Sequence, residues 1–196
     1  MLLDLHTHSI KSDDGRAKVE NYCQWIKAKE LPLDGFVLTE HRQFDDESDY
    51  SALAEKFGLC ILKASEVETE YGHVLVYGVT PELQRAFDFT STHLELAVVL
   101  SESKKHGAMA VPCHPGRPKV GMFAHTDELG IPEGVEIVEI HNGGSRDQED
   151  QIAMIMPPRS ITAVSPEVTH TLSVILADVQ PNLAGISIRL AIWLRR

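Results

Sequence analysis

At 196 residues, with 43% hydrophobic and 24% charged side chains, the chain has the composition of one soluble globular domain large enough to bury a core. Its formal net charge of -11 opposes binding to duplex nucleic acid or an anionic membrane unless bound cations reverse the local field. The apolar start MLLDL is interrupted by Asp4 and is too short for a secretory leader, and Cys23, Cys60 and Cys113 are odd in number and widely spaced, so the expectation is a cytoplasmic protein with buried free thiols and no disulfides.

In chain order, short apolar runs alternate with helix-like segments. Strands are predicted over residues 2–6, 35–41, 60–66, 73–79, 108–114 and 135–141. Between them, residues 19–30 place Tyr22, Cys23, Ile26 and Ala28 at helical spacing before a Pro-Leu-Asp-Gly turn, and residues 92–106 repeat the helical period before Gly107. That alternation is the pattern of βα units around a parallel sheet. No repeat, low-complexity tract or linker divides the chain, so one domain is expected.

Most of the predicted strands end in His or Glu. In a parallel βα barrel, polar residues at the C-terminal ends of strands converge on one face, where active sites lie. His6 and His8, two apart on a strand, point to the same side and both imidazoles reach one cation. Alone, such a pair is as well read as two surface or capping histidines. The same residue type recurs, however, in TEH (His41), YGHVLVYG (His73) and VPCHPG (His114), and Glu66 in ASEVET is placed to bridge two cations. Two metals held about 4 Å apart activate a shared water and clamp the oxygens of an in-line phosphoryl displacement, so no nucleophilic side chain is required. None is found in a known nucleophile motif, and there is no phosphate-cradling P-loop.

The ordered set DLHTHS with SDDG, TEH, SEVET with GHVLVYG, and CHPGR resembles the PHP (polymerase and histidinol phosphatase) domain family of metal-dependent phosphoesterases, over about the first three quarters of the chain. The resemblance implies an α/β fold, a distorted (β/α)7 TIM-like barrel, holding two or three divalent metal ions: zinc, manganese or iron. It implies that His6 and His8 bind a first metal, that Glu66 bridges to a second held also by His73 and His114, and that Asp14, preferred to Asp13, binds a third with His41. The catalytic group is then a metal-bound water and the substrate a small phosphorylated metabolite or nucleotide. Glu40 stands before His41 where the family usually has aspartate.

Arg117 in HPGRPK is read either as a clamp on a phosphate oxygen or as a solvated loop arginine. Glu139, His141 and Asn142 end a predicted strand and are read as pocket wall, the acidic run Asp45, Asp46, Glu47 and Asp49 as a solvated loop, and His93, His106, His125 and His170 as surface or structural histidines. Alternatives to a phosphoesterase are a non-catalytic PHP-like module that binds metal or ligand and an amidohydrolase-like metal hydrolase.

The chain divides for this purpose into residues 1–153, the PHP-like part, and residues 154–196, a divergent and incomplete end of the same domain. From Pro157 onward there are four basic and two acidic residues, against 14 and 27 before it. PHP domains usually carry a late Gly-Ser-Asp-Ala-His string, which is missing here. Reading the third base of each codon with the first two of the next, residues 163–171 permit Gly-Ile-Ala-Gly-Ser-Asp-Ala-His. A frameshifted gene is therefore expected, with a poorly folded C-terminus and weak or no phosphoesterase activity.

Overall fold

The computed structural model describes residues 1–155 and the backbone of two short strands further on. Its strands are β1 (Leu2–Thr7), β2 (Gly35–His41), β3 (Cys60–Thr69), β4 (Gly72–Tyr77), β5 (Met109–Pro112), β6 (Ser173–Ile175) and β7 (Arg189–Ile192). Its helices are α1 (Val19–Ala28), α2 (Ser51–Phe57), α3 (Pro81–Gln84), α4 (Leu96–Lys105), α5 (Thr126–Leu129) and α6 (Asp147–Ile155). No helix among the described residues is long and apolar enough to cross a membrane. Residues 156–172, 176–188 and 193–196 lie outside the described set, and with them the expected Ser-Asp-Ala-His string and His170.

The strands form one sheet in the order β5-β4-β3-β2-β1-β7-β6. Central β2, apolar over its first four residues GFVL and polar over TEH, is buried at every position but the last, as a strand covered on both faces must be. On one side α1 buries Val19, Cys23 and Ile26, spaced by four and three residues, against Leu33, Phe36, Leu38 and Leu59.

The sheet is mixed rather than parallel. β1 is parallel to β2 and β7, and β2 to β3, but β3 with β4, β4 with β5 and β6 with β7 are antiparallel. Loop length decides this at β3–β4: only residues 70 and 71 join them, enough for a hairpin and far short of the dozen or so that a parallel crossover needs. Gly72 serves that turn with φ 94°, and a Cβ there would sit 2.2 Å from the carbonyl oxygen of Val120. The strand order is linear, so the α/β architecture is a curled, half-barrel sheet, and no closed seven-fold barrel is formed among the described residues.

The run 135–141 is not a strand. It makes a backbone bond from Glu139 N–H to Pro112 O at 3.0 Å, and the four-residue β5 offers little more edge to pair with. β5 also stops short of His114, whereas β3 continues past Glu66 to Thr69.

Candidate metal centre

Glu66, near the middle of β3 and fully buried, is the hub. On one carboxylate oxygen, Oε2, His6 Nε2 lies at 2.7 Å and His8 Nε2 at 2.8 Å, with His41 Nε2 at 3.8 Å. On the other, Oε1, His73 Nδ1 lies at 2.7 Å, His114 Nε2 at 3.2 Å and Cys113 Sγ at 3.4 Å. At a further corner, Asp14 reaches His8 Nδ1 at 2.9 Å and His41 Nε2 at 3.5 Å. Three groups of donors, His6-Glu66-Cys113-His114, His8-Asp14-His41 and His41-Glu66-His73, each have their ligand atoms within 4.8 Å of one another.

Strand register explains how the donors converge. His41 pairs with Glu66 across β2 and β3, and His73 with Glu68 across the hairpin, so all three share a face. β1 needs a special device. Asp4 is in register with Phe36 but Thr7 with Leu38, three residues against two, which marks a β-bulge. The extra residue brings His6 and His8 into phase with Val37 and Thr39, on the side of His41 and Glu66. Without it His6 would fall in phase with Leu38, on the side that α1 covers.

The donor chemistry fits divalent metal. His6 Nε2 and His8 Nε2 are 3.1 Å apart and both crowd the same carboxylate oxygen, so three lone-pair-bearing atoms aim at one region, as a cation requires. Electrostatics mark the centre as a place that stabilises positive charge. Burial works against a charged Glu66, but His6, His114 and His73 around it outweigh the burial and hold its carboxyl well below the usual glutamate range. For His6, burial opposes protonation, yet Glu139 and Glu66 on either side raise it well above the ordinary histidine value. Burial lowers His41 and His114, favouring neutral rings with a lone pair to give.

The loop after β1 supplies Asp14. Glu40, buried on β2, accepts from Ser9 N–H through both oxygens at 3.1 Å and from Ser12 Oγ–H at 2.6 Å; Ser12 Oγ accepts from His41 N–H at 2.9 Å. The loop closes so tightly that a Cβ on Gly15 would lie 1.8 Å from the Ser9 carbonyl oxygen, which accounts for glycine after Ser-Asp-Asp. Of the two aspartates, Asp14 faces the histidines, while Asp13 pairs at 2.6 Å with Arg42, which also binds Glu68.

Arg117 donates to Asn142 Oδ1 at 2.8 Å and Ser145 Oγ at 3.0 Å. The Asn142 amide in turn lies 3.1 Å from His6 Nδ1 and donates to Glu139 Oε2 at 3.1 Å. A cavity of about 400 Å³ opens beside His6, His8 and Asp14, with Arg16 and Asn142 also in its lining and Trp25 and Leu33 on an apolar wall.

Two residues gain a role that sequence reasoning did not give them. Glu139, taken for pocket wall, has Oε1 3.0 Å from His6 Nδ1 and accepts from His114 N–H at 2.6 Å, so it buttresses two candidate ligands. Cys113, taken for a bland thiol, lies inside the donor cluster; the signal was its place beside His114 at a strand end. The acidic run also needs correction: Asp45 is buried rather than solvated, accepting from Lys11 Nζ and Tyr50 Oη–H at 2.6 Å each. His106 and His125 stand apart from the centre, His106 near Glu102 at 3.3 Å and His125 near Lys119 O at 2.8 Å.

The molecule is thus a mixed α/β sheet carrying a histidine cluster around one buried glutamate, with donor groups that could hold metal. The chain matches the PHP domain family over residues 4–111, more than half its length, and belongs to that family. Its fold is similar to that of a protein from Bifidobacterium adolescentis described as a metal-dependent phosphoesterase, at 15% identity over 77% of this chain and 81% of that one, TM-score 0.52. It is also similar to an amidohydrolase from Chromobacterium violaceum with bound SO4 and no metal, at 17% identity over 78% and 81% of the two chains, TM-score 0.56. The lesion-specific endonuclease PfuEndoQ from Pyrococcus furiosus shares the fold at 16% identity and TM-score 0.50, over 77% of this chain and 44% of that one. No curated protein sequence matches the chain.

Proposed function

We propose that this PHP domain is a metal-dependent phosphoesterase whose site is His6, His8, Asp14, His41, Glu66, His73 and His114. The observation that carries this reading is the division of Glu66: His6 and His8 crowd one oxygen, His73 and His114 the other. A carboxylate flanked on both oxygens by imidazoles suits a bridge between two divalent ions, zinc, manganese or iron. Bound there, such ions supply a hydroxide at neutral pH and neutralise charge on the phosphoryl oxygens. The chain's own groups do the rest. Glu139 fixes the tautomer and direction of the His6 ring through Nδ1. Arg117 is held by Asn142, which lines the cavity, and its guanidinium would orient a non-bridging phosphate oxygen. A cavity of about 400 Å³ suits a small phosphorylated metabolite or a nucleotide, and the net charge of -11 disfavours duplex nucleic acid. The three widely spaced thiols favour a reducing, cytoplasmic compartment as part of this reading.

We further propose that residues 154–196 are a shifted reading of a gene whose original frame supplied an Asp and a His to the first and third metals. The test of function is a panel of phosphomonoesters and phosphodiesters, assayed with zinc, manganese or iron and with chelator. Metal-dependent phosphate release by the frame-restored protein, lost in His8→Ala, is expected. Metal binding without turnover would move the assignment to a non-catalytic module, and cleavage confined to amides to an amidohydrolase.

A further inference from the structure

We propose that Cys113 is a metal ligand, its thiolate joining His114 and Glu66 to hold a borderline-soft divalent ion such as zinc on the Oε1 side of the bridge. The inference rests on the metal-centre reading above and adds to it a sulfur donor, and hence a preference among metals.

Position makes the first argument. Cys113 follows Pro112 at the end of β5, and its N–H donates to His73 O at 3.1 Å, which extends the β4–β5 pairing one step beyond the strand. Its side chain therefore keeps the alternation of Val111, with which it clusters, on the face that carries Glu66 and His73. In a continuing strand His114 would point to the opposite face. Instead His114 has φ 33°, a left-handed conformation that is costly for a non-glycine residue. That turn places the donor atoms of two consecutive residues, Cys113 Sγ and His114 Nε2, 3.4 Å apart on the same side. Strain of this kind clusters at functional sites.

Distances make the second argument. Cys113 Sγ to His114 Nε2 and Cys113 Sγ to Glu66 Oε1 are each 3.4 Å, and His114 Nε2 to Glu66 Oε1 is 3.2 Å. Zinc bonds of about 2.0–2.3 Å to nitrogen, oxygen and sulfur in a tetrahedron imply ligand-to-ligand edges of roughly 3.3–3.6 Å. The three atoms thus outline one face of a tetrahedron before any ion is added. Both Cys113 and His114 are buried, so the pair is not a surface coincidence. On binding, the S–H proton leaves to solvent and the thiolate donates an electron pair to the ion; no electron is transferred. A thiolate among imidazoles and a carboxylate favours zinc, or cobalt as its reporter, over manganese, which prefers oxygen.

The full chain titrated with cobalt(II) reports both layers of the reading separately. Visible d–d bands register cobalt bound by any donor set, and a near-ultraviolet thiolate-to-cobalt charge-transfer band registers sulfur. The expected result is both bands in the wild-type chain, retention of both in Cys23→Ala/Cys60→Ala, and loss of the charge-transfer band alone in Cys113→Ser. X-ray absorption at the zinc edge of the wild-type chain, which needs no variant, is expected to show a sulfur shell at about 2.3 Å. Visible bands with neither charge transfer nor a sulfur shell overturn the Cys113 proposal and leave the metal centre standing. Absence of cobalt and zinc binding overturns both.

Discussion

Removing the Glu40 carboxylate measures how firmly the loop that carries Asp14 is tied to the sheet. Glu40 is fully buried and holds Ser9 N–H and Ser12 Oγ–H, both in buried residues, at 2.6–3.1 Å. Glu40→Ala strands both donors, each at about 1–3 kcal/mol, and leaves a void, so a loss of about 3–5 kcal/mol is expected. Glu40→Gln keeps one acceptor oxygen and exchanges a charge-assisted bond for a repelled amide, a loss of about 1.5–3 kcal/mol. Urea unfolding in the presence of chelator reads these values without a metal contribution. Zinc affinity read on the same variants falls in the same order, because Asp14 loses its fixed approach to His8 and His41. An Ala variant within about 0.5 kcal/mol of wild type, the range of ordinary surface substitutions, would refute the reasoning.

Arg117→Ala in the frame-restored enzyme is expected to raise KM for a phosphoester about 10- to 100-fold, the worth of one charge-assisted hydrogen bond, with metal content unchanged; unchanged kinetics would remove the clamp. Asp45→Asn is expected to lower stability at neutral pH and flatten the acid limb of the stability curve. Burial works against the Asp45 charge, but Lys11, Tyr50 and Ser48 outweigh it and lower its pKa, so its contribution is complete above the ordinary aspartate value of about 3.9 and is lost as pH falls through the lowered one. Tyr50, pushed up to about 12 by burial and by Asp45, stays a donor throughout that range; an unaltered acid limb in Asp45→Asn contradicts the assignment. Sequencing the gene is expected to show codons over residues 163–171 that encode Ser-Asp-Ala-His in the alternative frame, and restoring that frame is expected to raise metal occupancy and phosphoesterase activity.

The histidines of the centre were legible because each closes or opens an apolar run, which pointed to convergence although Glu66 lies inside β3 and His114 beyond β5. His6, His8, His41, His73, His114 and Glu66 come together as the spacing required. What a linear pattern does not encode is register. The bulge between Asp4 and Thr7 decides which side of the sheet His6 and His8 face, and it exists only as a three-to-two count against β2. Glu139 was hidden for a related reason: the apparent strand VEIVEIH drew attention to its end, whereas the chain there is irregular and turns an interior carboxylate onto His6. Asp45 looked solvated among Asp46, Glu47 and Asp49 because the partner that distinguishes it, Lys11, is 34 residues away. Two residues between β3 and β4 made the sheet mixed, a constraint of loop length that apolar runs do not display.

The central claim, a Glu66-bridged pair of divalent ions, is tested most directly by metal stoichiometry after equilibrium dialysis against zinc or manganese. The wild-type chain is expected to retain at least one equivalent and the frame-restored chain at least two, with Glu66→Ala lowering each, because removing the bridge takes an oxygen from both ions at once. A wild-type chain that retains no metal, or a Glu66→Ala variant that retains as much as wild type, would contradict the account.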